Sequence, residues 1–229
     1  MNKPYLKSMD IQGFKSFQKQ THIDFSPKIN VILGGHDTGK TNVLDAIKLC
    51  LFDEGKSSGN WDVFHGESDI NFAEVNLTFG TDDNNSDTVL KRRIELKNNN
   101  SIKSDERFIN GKLIAEGYFS GHLFSDNFLK KEADLNRLFS GNLSDRYCCG
   151  LEISISSFLS TPLCLIDDSL SPSDEPLNEI ITSMIKGLSE SAQCIVVSNM
   201  RQIAMEADRM IGVTMEGDSS KVMELKRQM

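Results

Sequence analysis

The strongest constraint on this chain is one short run, Gly34-Gly-His-Asp-Thr-Gly-Lys-Thr41. It fits the pattern G-x-x-x-x-G-K-[ST] in the setting that pattern requires. A continuous apolar run, Ile29-Asn-Val-Ile-Leu33, precedes it, and Val43, Ile47 and Leu51 follow at helical spacing. Glycines let successive backbone N–H groups wrap a phosphate, and the first turn of the helix adds partial positive charge. Lys40 would then reach the β- and γ-phosphates of a nucleotide, and the Thr41 hydroxyl would ligand Mg²⁺. Gly34, Gly35, His36, Asp37, Thr38, Gly39, Lys40, Thr41 and Asn42 are the candidate contacts to ATP. Such a strand–loop–helix unit confines the chain to an α/β fold.

Around that unit the patterning predicts strands over 5–12 and 20–33, and a helix from Thr41 to Phe52. Val75, Leu77 and Phe79 alternate within Ala73–Phe79, as a half-buried strand requires. Val89–Leu96 reads as the return strand, Asn98–Asp105 as a polar loop, and Asn110-Gly111 as a tight hairpin turn. An antiparallel β-layer is expected there. The α/β pattern then restarts, with buried strands Leu163–Ile166 and Cys194–Val197 and helices Leu177–Leu188 and Arg201–Asp208. Strands Met210–Met215 and Lys221–Leu225 complete it. A phosphate loop also needs a carboxylate on the metal side, from a neighbouring strand. Asp167, directly after Leu163–Ile166, is the candidate; a plain strand-end turn before Ser169 is the blander reading.

Composition narrows the class. The 229 residues are 38% hydrophobic and 25% charged, enough for a buried core, with a formal net charge of -8. No apolar run approaches the ~20 residues of a membrane helix. The first residues, Met1-Asn-Lys-Pro-Tyr5, carry no signal-type stretch. The five cysteines are an odd number without a CxxC pair, and Cys50, Cys164 and Cys194 lie in apolar stretches as buried thiols do. An intracellular protein is expected, nuclear with a cytoplasmic pool left open. Residues 150–229 hold twelve acidic against six basic side chains, which gives no electrostatic push towards nucleic acid. Direct DNA binding is expected to be weak or absent, and no membrane is implicated.

Three stretches carry a resemblance. Ile11-Gln-Gly-Phe-Lys-Ser-Phe17, the loop with Thr41-Asn-Val-Leu-Asp-Ala-Ile47, and Met205-Glu-Ala-Asp-Arg-Met-Ile-Gly-Val-Thr-Met-Glu216 together resemble the head of a structural maintenance of chromosomes (SMC) ATPase. The resemblance spans nearly the whole chain. It implies a two-lobed ABC-type P-loop NTPase head that uses ATP and Mg²⁺. The N-lobe, residues 1–130, would hold the mixed β-layer and the loop. The C-lobe, residues 131–229, would hold the signature motif, the Walker B aspartate (Asp167) and the switch position. In full-length members a long coiled coil and a hinge separate the lobes. Here only Lys130-Lys-Glu-Ala-Asp-Leu-Asn-Arg137 joins them, so neither arm nor hinge is expected.

The chemistry residues depart from the family pattern. The signature falls on Phe139-Ser140-Gly141-Asn142-Leu143, keeping Ser140 and Gly141 as contacts to nucleotide on an opposing head. Asn142 adds a Cβ where backbone must approach phosphate closely. Asp168 stands in place of the catalytic glutamate, and Asn199 in place of the switch histidine. The residues after Asp168, Ser169 to Asp174, keep only the final aspartate of the D-loop. No glutamine lies between Gln20 and Gln193, so His122 or Asn127 would stand near the Q-loop position. Binding groups are kept and hydrolysis groups altered, the pattern of a pseudo-ATPase. The resemblance therefore implies a coil-less regulator, of the kind associated with condensin in nematodes. It would act negatively through SMC subunits, a kleisin, or pairing with a full-length head, and influence chromosome condensation and segregation. Cohesin in place of condensin, a weakly active ABC-type ATPase of DNA repair, and an engineered head fragment are the other readings.

Overall fold

The computed structural model describes residues 4–51, 70–81, 87–97, 102–114, 163–167 and 175–225. Two sheets organise them. The first has six antiparallel strands in the order β2-β1-β4-β5-β6-β7. These are β1 (Tyr5–Gln12), β2 (Thr21–Asp24), β4 (Phe72–Gly80), β5 (Thr88–Leu96), β6 (Ile102–Ile109) and β7 (Lys112–Ile114). The second has five strands in the order β11-β10-β3-β9-β8. In it β3 (Ile29–Gly34), β8 (Leu163–Ile166), β9 (Gln193–Val197) and β10 (Arg209–Glu216) are parallel, and β11 (Ser219–Leu225) runs antiparallel to β10.

Helix α1 (Lys40–Leu51) packs against strands of both sheets. That position explains its composition: Leu44, Ala46, Leu49 and Cys50 are buried along with Val43, Ile47 and Leu51 as one wide apolar face, while Thr41, Asp45 and Lys48 line the remaining side. On the other face of the five-stranded sheet lie α2 (Glu175–Ser189) and α3 (Arg201–Glu206). Strands β3 and β9 serve both cores. Ile32, Ile195 and Val197 join the α1 side, while Ile29, Val31, Cys194 and Val196 join the α2–α3 side. A parallel strand buried on both faces reads as an unbroken apolar run, as these do. Cys50, Cys164 and Cys194 are buried, and burial pushes the Cys50 thiol up to about 12, so it stays a small protonated hydrophobe.

Most elements lie where the patterning places them, and the Asn110-Gly111 turn has positive φ at both residues (50° and 77°). Two expectations fail. The strand expected over 20–33 is two strands in different sheets, interrupted by Phe25-Ser-Pro-Lys28. Asn30 holds the break: its Oδ1 accepts from the Ser26 N–H (2.6 Å), and its Nδ2 donates to the Ser26 carbonyl (2.9 Å). The polar loop expected over 98–105 holds strand residues from Ile102 onward. Its polarity misleads because Asp105 faces inward, in a two-pronged pair with buried Arg92 at 2.8 and 2.9 Å. Arg92 Nη1 also donates to the Leu49 carbonyl (2.7 Å), satisfying an orphan acceptor in the last turn of α1.

Buried Gln193 joins the sheets. Its Oε1 accepts from the Leu6 N–H (2.9 Å), and its Nε2 donates to the Leu6 and Ser26 carbonyls (2.8 Å each). It therefore belongs to the framework and not to the nucleotide site.

Candidate nucleotide site

The site forms where β3 ends and α1 begins. Gly34 is the last residue of β3, 35–39 form the connecting loop, and Lys40 opens the helix. Two residues take left-handed φ there, Asp37 at 57° and Gly39 at 94°. An aspartate tolerates that region better than most side chains, and glycine tolerates it freely. Gly34 is required for room, since a Cβ on it would lie under 3.0 Å from the Val213 carbonyl oxygen of β10. The Thr38 hydroxyl donates to the Gly35 carbonyl (3.1 Å), and Lys40 Nζ donates to the same oxygen (2.5 Å), drawing the loop around the ammonium.

The decisive contact crosses the sheet. Thr41 Oγ1 donates to Asp167 Oδ1 at 3.2 Å, between residues 126 apart in the chain. Parallel pairing of β3, β9 and β8 brings the ends of β3 and β8 to the same edge, one strand apart. A hydroxyl and a carboxylate oxygen side by side next to a phosphate loop suit Mg²⁺, a hard cation that takes oxygen ligands. No cluster of three or more His, Cys, Asp or Glu that could hold a metal exists among the described residues. A metal here would rest on Thr41, Asp167 and the phosphate oxygens of its nucleotide. Asn199, directly beyond β9, reaches the same edge: its Oδ1 accepts from the Gly34 N–H at 3.4 Å. Asp168, Ser140 and Gly141 lie outside the described residues, as do Asn142, Leu143, His122 and Asn127.

Two residues that patterning does not single out sit behind the loop. Ser16 and Ser220 touch each other through their hydroxyls (2.6 Å), and Asn42 Nδ2 donates to Ser16 Oγ (2.7 Å). Ser220 Oγ lies 2.7 Å from the Thr38 carbonyl, and the Ser220 N–H donates to the Ser16 carbonyl (2.7 Å). The Gly13–Phe17 turn is built for this contact. Gly13 has φ 68°, Lys15 has φ 46°, Phe14 and Phe17 are buried, and Lys15 Nζ pairs with Asp45 of α1 (2.5 Å). Gly39 faces the pair so closely that a Cβ would come within 3.0 Å of both hydroxyl oxygens.

Residues 5–221 match the RecF/RecN/SMC N-terminal domain family. The chain belongs to that family. Among curated SMC proteins it is 31% identical over 130 residues to structural maintenance of chromosomes protein 3 of Arabidopsis thaliana, covering 54% of the chain and 11% of that protein. It is 36% identical over 87 residues to the chromosome partition protein Smc of Bacillus subtilis, covering 34% and 7%. The chain thus spans a small part of these relatives. Among solved structures, the SMC head domain from Thermotoga maritima superimposes with a TM-score of 0.68 at 20% identity, over 97% of this chain and 99% of that one. The Pyrococcus furiosus Smc head, solved bound to the C-terminal domain of ScpA, gives 0.76 at 17% identity, over 97% and 96%. The fold is that of an SMC head, an ABC-type P-loop NTPase architecture.

Proposed function

We propose that this SMC-type head binds ATP with Mg²⁺, turns it over weakly or not at all, and acts as a regulator of SMC complexes. The observation carrying the binding half is the Thr41–Asp167 contact beside the Gly34–Lys40 loop. The loop N–H groups and Lys40 would hold the phosphates, and Thr41 and Asp167 the metal, which neutralises phosphate charge when bound. Asn42, Ser140 and Gly141 complete the proposed contacts, the last two towards nucleotide on an opposing head.

The impaired half rests on residue chemistry. Asp168 is a methylene shorter than glutamate, and misplacing a general base by ~1 Å lowers a rate by about 10²-fold. Asn199 hydrogen-bonds but holds no protonated charge. Asn142 and Leu143 weaken the signature turn that an opposing head would read. A partner head that paired with this one would be trapped instead of cycled.

The lobe boundary near residue 130, with no coiled coil or hinge between the halves, is part of the same proposal. Only residues 115–162 separate β7 from β8, too few for a long arm. Condensin is the favoured complex, with cohesin as the alternative, and a chromosome-associated, nuclear location follows from either. The partner type draws support from SMC heads solved with ScpA bound. The β10–β11 hairpin, with Met215 and Met223 exposed, is the proposed contact for a kleisin winged helix.

Purified protein separates the readings. ATP binding that Lys40→Ala abolishes, with no phosphate release by the wild type, supports the regulator. Turnover that Asp168→Asn abolishes supports the weakly active ATPase. Native co-purification that yields neither an SMC subunit nor a kleisin would refute the regulatory role.

A further inference from the structure

The hydroxyls behind the loop form a chain with only one consistent direction. The Asn42 side-chain N–H donates and has nothing to accept with, so Ser16 Oγ must accept from it. The Thr38 carbonyl can only accept, so Ser220 spends its one proton there (2.7 Å), and Ser16 must therefore be the donor in its contact with Ser220 Oγ (2.6 Å). Each hydroxyl donates once and accepts once. The chain ends on the loop itself.

That last bond sets a peptide plane. In a planar trans peptide the C=O and the following N–H point in opposite directions. Holding the Thr38 oxygen against β11 therefore turns the Gly39 N–H away from the hairpin. That N–H is among those a phosphate loop offers its ligand, and Gly39 is free to adopt the required φ of 94°. The hairpin is anchored at the same place by the Ser220 N–H on the Ser16 carbonyl and the Gln18 N–H on Ser219 Oγ (3.2 Å). Ser219 and Ser220 are both buried.

We propose that Ser220 is a positioning residue for nucleotide, and that through it the β10–β11 hairpin and the phosphate loop are linked sites. The inference rests on the ATP-binding reading above. Linkage is reciprocal: ATP in the loop must steady β11, and whatever steadies β11 must tighten ATP by the same factor.

The test uses the full chain and a fluorescent ATP analogue with Mg²⁺. Ser220→Ala should weaken binding about fivefold, the effect of one hydrogen bond of ordinary strength. Ser220→Thr, which keeps the hydroxyl, should restore most of it. Ser16→Ala should have a smaller effect than Ser220→Ala, because Ser220 can still donate to Thr38. In the wild type, hydrogen exchange at residues 219–225 should slow when ATP is added, and in Ser220→Ala it should not. If Ser220→Ala fails to fold, that exchange measurement on the wild type decides alone. Wild type that binds ATP without protecting 219–225, or Ser220→Ala that binds as tightly as wild type, overturns the linkage. Wild type that binds no ATP overturns the binding reading, and this inference with it.

Discussion

Replacing Gly39 with alanine tests the loop architecture most directly. Gly39 holds φ at 94°, and a Cβ there would come within 3.0 Å of both Ser16 Oγ and Ser220 Oγ. The two penalties are separate. A non-glycine residue in left-handed backbone costs about 1–2 kcal/mol, and forcing atoms into a packed site costs about 1–3 kcal/mol. The sum is about 2–5 kcal/mol. At about 2–4 °C per kcal/mol for a domain of this size, the melting temperature should fall by roughly 4–20 °C. The neighbours cannot yield cheaply, since both hydroxyls belong to the hydrogen-bonded chain that reaches Thr38. Calorimetry of both proteins without nucleotide measures the effect, and adding Ser220→Gly to the variant separates its parts. Removing the Ser220 hydroxyl should return some of the packing term and none of the backbone term. A Gly39→Ala protein that melts within 2 °C of wild type would mean that the loop relaxes freely, and the account of its bracing by Ser16 and Ser220 would be wrong.

Other outcomes follow from the same geometry. Arg92→Met should destabilise by about 1.5–3 kcal/mol in denaturant titrations, because Asp105 loses its two-pronged partner and keeps Arg107 at 3.6 Å; adding Asp105→Leu should not restore wild-type stability, because buried Arg107 then loses its carboxylate as well. Thr41→Val and Asp167→Asn should each weaken ATP binding in Mg²⁺ far more than in EDTA, and the double variant should lose less than the sum, as residues sharing one ion do. His22 lies between two carboxylates, with Nδ1 2.8 Å from Asp10 and Nε2 3.1 Å from Asp24, so only the doubly protonated ring donates to both. The hydrogen bond to Asp10, above all, raises its pKa over the ordinary 6.5. Its contribution is therefore complete below pH 6.5 and is lost as pH rises through the raised native value. The ring is half exposed, so solvent screening keeps the effect small. The denaturation midpoint of His22→Gln should trail wild type at pH 5.5 and meet it at pH 9. A gap that widens with pH would contradict the assignment.

Local chemistry was enough to locate the phosphate loop. Glycine placement, a lysine and a hydroxyl at fixed spacing, an apolar run before and a helical pattern after are all properties of contiguous residues. The same holds for β4, with its clean alternation, and for the Asn110-Gly111 turn, whose backbone demand is met by two adjacent residues. Asp167 was legible as a strand-end carboxylate, but nothing contiguous tells it from an ordinary turn residue. The metal-side role proposed for it rests on parallel pairing of β8, β9 and β3, which places it 3.2 Å from Thr41 across 126 positions.

Where local patterning misled, a long-range partner had changed the meaning of a residue. Asp105 looks like loop material until Arg92 neutralises it from the facing strand. The run 20–33 looks continuous until its two ends are claimed by different sheets. Ser220 carries no signal at all, and Ser16 none beyond its place in the Ile11–Phe17 stretch; nothing contiguous links two serines 204 positions apart. They matter because the final hairpin returns beside the first turn of the chain, under the loop. A hydroxyl's worth depends on the geometry of its partner, and that geometry exists only once the two ends of the chain have met.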